Sequence, residues 1–498
     1  MAKKAYLAVD LGAESGRVVV GILEDGRIAL HEVYRFSHLV RQLPSGLHWD
    51  LTGIWAHVLA GIREAVAWCR PQGLTVASVG VDTWGVDWGL IDSRGELLGL
   101  PHCYRDEQNQ GAFDRLMQQP GAKAIYDATG IQNMALNSLY QVSARQAASP
   151  WLLEKADKLL FMADLFHYFL SGRAANEATL ASTSQMTDAR TGQWHLDLLH
   201  SLDLPTHMLG QLVPPGTRLG PILPQVAAEV GAEEPFAVVV PATHDTAAAV
   251  AAVPAASGTS WCYCSSGTWS LMGAELDQPC ITDAGREVPF TNEGGVGGTI
   301  RFLTNIIGLW PVQECRRALE KEGQAYDYSQ LTQLASQATP FRTILDSDHP
   351  PFMQPGDMPA KIAAFAKSTG QPVPANPGEL IRCCLESLAL TYRRTLDKLE
   401  TITGRHFDLL HIVGGGSKND LLNQLTANAL NRQILAGPGE ATAAGNVLTQ
   451  ALGTGDVSDL NEIRSIVSAS FQPQTFPPRE TAGWDDAYQK FLELRGEA

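Results

Sequence analysis

The chain has 498 residues, is 45% hydrophobic, and carries 37 basic against 53 acidic side chains for a formal net charge of -16 at pH 7. That length exceeds the size at which one hydrophobic core stops growing, so two domains are expected. The acidic balance excludes the basic footprint that nucleic acid or an anionic membrane would require of a partner. The 8 cysteines, several in apolar surroundings such as Trp261-Cys-Tyr-Cys264 and Cys383-Cys384, read as reduced buried thiols, and no C-x-x-C pair points to zinc or redox work.

At the N-terminus, Met1-Ala-Lys-Lys-Ala-Tyr enters a strand-like run with no secretory signal, and a cytoplasmic protein is expected. Tyr6-Leu-Ala-Val-Asp10 runs into Leu11-Gly-Ala-Glu-Ser-Gly-Arg17, then into Val18-Val-Val-Gly-Ile-Leu23 and an Asp25-Gly26 turn. This is strand, glycine turn, strand. The N–H groups of such a turn can form an anion-binding nest, Ser15 and Arg17 offer side-chain donors, and Asp10 suits a hydrated Mg²⁺. A bare hairpin with no ligand is the simpler reading of the segment alone.

Ile54, Trp55, Val58, Leu59, Ile62 and Val66 recur at helical spacing and predict one buried helix face. Val76-Ala-Ser-Val-Gly-Val-Asp82 reads as a strand that ends at Thr83-Trp-Gly-Val-Asp87. There an indole, a glycine and two carboxylates fit either a sugar pocket or ordinary core packing of Trp84. Further on, the apolar run Phe236-Ala-Val-Val-Val-Pro-Ala242 leads through His244-Asp245-Thr246 into an Ala-rich stretch. In open α/β sheets chemistry gathers at the carboxyl ends of buried strands, which makes Asp245 a candidate general base. The competing reading is a helix cap. Pro241, His244 and Asp245 also lie inside the most apolar window, residues 236–253, and exclude it as a membrane span.

Two more glycine turns follow apolar runs. Ser260-Trp-Cys-Tyr-Cys264 feeds Ser265-Ser-Gly-Thr268, and Leu409-Leu-His-Ile-Val413 feeds Gly414-Gly-Gly-Ser417 with a helix-like segment over 419–430. The strand, glycine turn, strand unit thus occurs in both halves and suggests a duplicated architecture. A helix is expected over 440–448, and an end helix over 484–495 follows a Pro-rich stretch. Nothing in the sequence sets an oligomeric state.

Several enzyme classes are excluded by inspection. Gly414-Gly-Gly-Ser-Lys-Asn419 lacks the dinucleotide spacing G-x-G-x-x-G, and no Gly-Lys dipeptide exists to build a P-loop. His31-Glu-Val-Tyr-Arg35 lacks the second histidine of a metalloprotease, and Gly12-Ala-Glu-Ser-Gly16 misses the nucleophile elbow by one position.

Taken in order, Asp10-Leu-Gly, His244-Asp-Thr, Ser266-Gly-Thr and Gly414-Gly-Gly resemble the FGGY carbohydrate kinases, a family of the actin-like ATPase superfamily. Val9-Asp-Leu-Gly-Ala-Glu-Ser-Gly-Arg-Val18, Val81-Asp-Thr-Trp-Gly-Val-Asp87, Tyr104-Arg-Asp106, Thr291-Asn-Glu-Gly-Gly295 and Asn305-Ile-Ile-Gly-Leu-Trp310 look like segments of those members that act on L-rhamnulose. The likeness runs from about residue 6 to about residue 453. It implies an α/β fold of two actin-like (ribonuclease H-like) ATPase domains with the active site in the cleft between them. Residues 1–245 would form the sugar-binding N-terminal domain with the phosphate turn, 246–455 the nucleotide-binding C-terminal domain, and 456–498 a helical tail packed on the domains.

The resemblance also implies roles. Asp245 would accept the proton of the attacked hydroxyl, and Gly85, His244, Asp245, Thr246 and Asn305 would contact the sugar. Ala13, Glu14, Ser15, Gly16, Arg17, Thr268, Gln313 and Gly415 would contact ATP, with Mg²⁺ bridging the phosphates and Asp10 reaching it through water. Glu14, an anion beside ATP, is expected to point away. The implied reaction is ATP-dependent phosphorylation of the 1-hydroxyl of L-rhamnulose in L-rhamnose breakdown. L-fuculose and D-xylulose remain alternative substrates, a non-sugar actin-like ATPase is the alternative class, and a hydrolase using Asp245 on water is a weaker third.

Overall fold

The computed structural model describes residues 3–256 and 258–497. It divides into two compact units, each assembled from separate stretches of chain. The first comprises Met1–Pro254, Glu275–Phe302 and Ala441–Ser470, and the second Ala255–Ala274, Leu303–Glu440 and Phe471–Ala498. The expected N-terminal span is thus joined by two later segments, one of them carrying the helix Ala441–Thr454.

The sheet of the first unit follows from its hydrophobic runs. Strands Lys3–Leu11, Ser15–Glu24 and Arg27–Ser37 form an antiparallel meander. Leu74–Thr83 and Ala237–Val240 then add in parallel, and Thr217–Pro221 closes the edge antiparallel. Lys3–Leu11 is buried from Ala5 to Leu11 without alternation, as a central strand covered on both faces must be. On the sheet lies the helix Leu51–Cys69, whose Asp50 cap accepts from Gly53 N at 3.0 Å. It buries Ile54, Val58, Leu59, Ile62 and Val66, while Trp55 is half-buried.

A second helix enters this unit from far along the chain. Within Ala441–Thr454, Gln450 Nε2 donates to Leu7 O at 3.0 Å and Ser78 donates to Gln450 Oε1 at 2.7 Å, which fixes the helix across the central strands. It also packs on the short Ala-rich helix Asp245–Ala251. At the crossing, a Cβ added to Gly445 would lie 1.8 Å from the carbonyl oxygen of Ala248, so glycine facing alanine permits backbone approach that no other residue would. A further lobe of the unit packs Trp88, Tyr140, Phe161 and Met186 in a core of its own.

The second unit repeats the arrangement. A seven-stranded sheet runs in the order Thr291–Gly294, Ile300–Ile307, Trp269–Leu276, Trp261–Ser266, Leu409–Val413, Gln433–Ala436, Gln474–Phe476. Trp261–Ser266 is parallel to Leu409–Val413, which is parallel to Gln433–Ala436, and Gln474–Phe476 closes the edge antiparallel. The 27-residue helix Pro377–Thr403, capped by Asn376, buries the side of this unit that carries Leu385, Leu388 and Tyr392. The expected end helix is present over Trp484–Arg495. Among the described residues, no helix is long and apolar enough to cross a membrane.

Candidate active site

Three aspartates meet at the carboxyl ends of the first unit's central strands. Asp10 and Asp82 are register partners on the parallel strands Lys3–Leu11 and Leu74–Thr83. Asp245 opens the helix that follows Ala237–Val240, and Thr83 N donates to Thr243 O at 2.8 Å, tying that strand end to its neighbour. Each carboxylate is treated differently. Arg17, directly across the hairpin from Asp10, donates to Asp10 Oδ2 from Nε at 2.9 Å and from NH2 at 2.7 Å. Asp82 is fully buried, accepts from Asn446 Nδ2 at 2.5 Å through Oδ2, and leaves Oδ1 without a hydrogen-bond partner. Burial and the neighbouring Asp10 charge push the Asp82 carboxyl well above the usual value.

Asp245 itself is the first residue of its helix, and His244, which contributes no side-chain cap, precedes it. Its Oδ1 receives Thr246 N at 2.6 Å, Thr246 Oγ1 at 3.2 Å and lies 3.3 Å from His244 Nε2. Desolvation raises the carboxyl above the ordinary aspartate range; His244 opposes that, Asp10 adds to it, and the Thr246 hydrogen bonds oppose it. With 34% of the side chain still open, solvent screens part of the rise.

Behind His244 stands an ion pair that sequence reasoning missed. Arg301, 0% exposed, donates from NH2 to His244 Nδ1 at 3.1 Å and from Nε to Gly294 O at 2.9 Å. Glu293 Oε2 lies 3.0 Å from Arg301 NH2 and 3.3 Å from His244 Nδ1. Burial alone would raise the Glu293 carboxyl, but Arg301 and His244 hold it below its usual value. The available signal was the lone cation in the run Thr299-Ile-Arg-Phe-Leu303, a charge where the apolar pattern expects none.

The expected phosphate turn is a hairpin in which Gly12 N donates to Ser15 O at 2.9 Å and His38 Nε2 approaches Gly12 O at 2.7 Å. Ala13 and Ser15 are half-buried and Glu14 is exposed. Gly16 has a packing reason for being glycine, because a Cβ there would lie 2.4 Å from the Phe36 ring. Gly85 lies beside Val86, a β-branched residue at φ 69 held by a hydrogen bond from its N to Thr183 Oγ1 at 3.1 Å. Trp84 packs as core: it is 5% exposed, its ring lies 4.1 Å from that of Trp49, and its indole N–H donates to Asp87 at 3.0 Å. Asp87 takes the Trp49 indole as well, so this carboxylate is an interior acceptor.

In the second unit, Thr268 sits in the turn between Trp261–Ser266 and Trp269–Leu276 and donates to Gln313 Oε1 at 3.1 Å. The two expected nucleotide contacts are therefore neighbours. The Gly414-Gly-Gly segment lies over Ser266: an added Cβ would come 3.0 Å from Ser266 O at Gly414 and 2.0 Å from Ser266 Oγ at Gly416, whereas at Gly415 nothing lies within 4 Å. Two of the glycines serve packing and the middle one presents bare, exposed backbone. Asn305 is half-buried on Ile300–Ile307.

The chain matches the FGGY family of carbohydrate kinases in two parts, the N-terminal domain over residues 5–252 and the C-terminal domain over residues 262–454. It is 40% identical to a rhamnulokinase of Bacteroides thetaiotaomicron over 489 residues, covering 98% of this chain and 99% of that one. It is 36% identical to a rhamnulokinase of Bacillus subtilis over 475 residues, covering 95% and 96%. Among solved structures it resembles a ligand-bound xylulose kinase from Lactobacillus acidophilus, with a TM-score of 0.81 at 15% identity over 99% of this chain and 98% of that one. It also resembles the Plasmodium falciparum glycerol kinase with ADP, with a TM-score of 0.77 at 14% identity over 99% and 97%.

Proposed function

Since the chain belongs to the FGGY family of carbohydrate kinases, we propose that it transfers the γ-phosphoryl group of ATP to the 1-hydroxyl of L-rhamnulose, giving L-rhamnulose 1-phosphate and ADP in L-rhamnose breakdown. The cytoplasm, which holds ATP, is its proposed compartment. Near-full-length similarity to rhamnulokinases of several bacteria supports the choice of sugar.

One observation carries the mechanism: among the described residues, both Thr246 hydrogen bonds to Asp245 fall on Oδ1, the oxygen that His244 Nε2 approaches. This leaves Oδ2 to take the proton of the sugar hydroxyl as its oxygen bonds to the γ-phosphorus and the bond to the ADP oxygen breaks. A carboxylate suffices as base, because phosphoryl transfer depends chiefly on placement and charge stabilisation. His244, Thr246, Gly85 and Asn305 are proposed to hold the sugar. Ala13, Glu14, Ser15, Gly16, Arg17, Thr268, Gln313 and Gly415 are proposed to line the nucleotide, the bare backbone at Gly415 suiting a flat ring.

Mg²⁺ fits the donors present. Among the described residues no cluster of three or more His, Cys, Asp or Glu forms a metal cage. A hydrated Mg²⁺ shared with phosphates needs only one or two carboxylates, and Asp10 beside Asp82, with its unpartnered Oδ1, supplies them. When bound, the ion would neutralise charge on the phosphate oxygens. Arg17, paired to Asp10, would hold that carboxylate in place.

The test is ADP release with Mg·ATP across L-rhamnulose, L-fuculose, D-xylulose, L-ribulose and glycerol, beside a blank without sugar. Strong turnover on L-rhamnulose alone is expected. Preference for another ketose would correct the substrate, and ADP release indifferent to every sugar would overturn the kinase reading.

A further inference from the structure

We propose that Glu293 and Arg301 are positioning residues that act through His244 to set its tautomer and thereby aim Asp245. The argument rests on the kinase reading only for what Asp245 does next. A guanidinium can only donate, and its 3.1 Å contact on His244 Nδ1 is shorter than the 3.3 Å approach of Glu293 Oε2, which would call for a proton there, so Nδ1 is assigned as the acceptor. The neutral ring then carries its proton on Nε2, the nitrogen 3.3 Å from Asp245 Oδ1. Together with Thr246 N and Oγ1, this proton occupies Oδ1 and turns the other oxygen outward as base.

Arg301 is held for this task from two sides. Gly294 O fixes its Nε at 2.9 Å, and Glu293, on the adjacent strand Thr291–Gly294, pairs with its NH2 at 3.0 Å. The Glu293 carboxylate also keeps the guanidinium charge compensated, so that a full cation can stand beside an imidazole at 0% exposure. Stability alone gives little reason for such a pair, because desolvation offsets most of the attraction between buried ions. The charged and titratable groups facing His244 are Asp245, Glu293 and Arg301, with Asp10 beyond Asp245. Glu177, bonded to Thr243 through Oε2, lies beneath the turn.

Two measurements test this. In the first, imidazole ¹⁵N shifts of histidine-labelled protein without ligands, with His244 assigned by loss of its signals in His244→Asn, should report the Nε2–H tautomer in the parent. They should show loss of that preference in Arg301→Met. A proton on Nδ1 in the parent, or an unchanged tautomer in the variant, overturns the proposal, and this arm needs no substrate. In the second, Glu293→Gln and Arg301→Lys should lower kcat on L-rhamnulose by about 100-fold, the cost of a misplaced catalytic group, with KM for ATP little changed. Added to His244→Asn, neither should lower kcat further, because residues acting as a unit are not additive. Losses that multiply would assign them a merely structural role and overturn the proposal. A parent inert on every sugar would instead count against the kinase reading, leaving the tautomer result to stand by itself.

Discussion

At the scale of single residues, Asp245 is set apart from Asp10 and Asp82 by what it lacks. Asp10 is paired with Arg17, and Asp82 is fully buried with one oxygen held by Asn446. Asp245 alone keeps about a third of its surface open, with its contacts gathered on one oxygen. Asp245→Asn preserves shape and removes the basic oxygen, so kcat should fall by about 10²- to 10⁴-fold with sugar binding retained, measured by steady-state ADP release. The pH profile follows from the same environment. A base must be ionised, so kcat should fall as pH drops through the Asp245 pKa. Because desolvation and Asp10 raise that pKa, the midpoint of the acid limb should lie above the ordinary value of 3.8. A limb at or below 3.8 would mean that His244 and Thr246 outweigh desolvation.

At the scale of elements, the point of closest approach is the crossing of Asp245–Ala251 with Ala441–Thr454. The helix bearing Asp245, the proposed base, is seated on a glycine: Gly445→Ala must drive the two backbones apart to relieve a 1.8 Å contact with Ala248 O. We expect a loss of about 1–3 kcal/mol, the usual cost of overpacking, read from urea unfolding. A fall in kcat should accompany it, because displacement of the helix moves Asp245. Unchanged stability would mean that the helices slide apart freely. This crossing also marks what the sequence could and could not express. Periodicity found the helix Leu51–Cys69, and apolar runs before glycine turns found the paired strands and the place of Asp245. These are local signals, two or three and a half residues in period. Gly445 reads as an unremarkable helix glycine until a partner 197 residues earlier is set against it, and Arg301 meets His244 across 57 residues of chain. Such pairings follow from strand order, which no local pattern encodes. Trp84 shows the converse: the sequence allowed a sugar platform or a core residue, and the hydrogen bond to Asp87 with the ring against Trp49 makes it core.

At the scale of the whole molecule, acid stability is a contest between buried groups of opposite sign. Asp87 is pushed up to about 7 by burial, and Asp164 and Glu177 are also raised by burial, so these carboxyls favour the folded state as pH falls toward the ordinary carboxylate range. His167 opposes them. It is 1% exposed, its Nε2 accepts from Val81 N at 2.9 Å, and burial lowers its pKa from 6.5 to about 3. Between those values the unfolded chain binds a proton that the folded one refuses, so stability rises with pH there and falls as pH drops below 6.5. His102, lowered to about 4 by burial and by Arg145, acts in the same direction. The net slope of the wild type therefore identifies no single group, whereas a difference between two proteins does. His167→Gln retains an acceptor for Val81 N and deletes the titration. Relative to the variant, the wild type should lose about 1.4 kcal/mol per pH unit between pH 6.5 and 4, read from urea midpoints of the first unit's transition. Parallel curves for the two proteins would show that water reaches the imidazole and that Val81 N, not the burial of the ring, fixes the centre of the sheet.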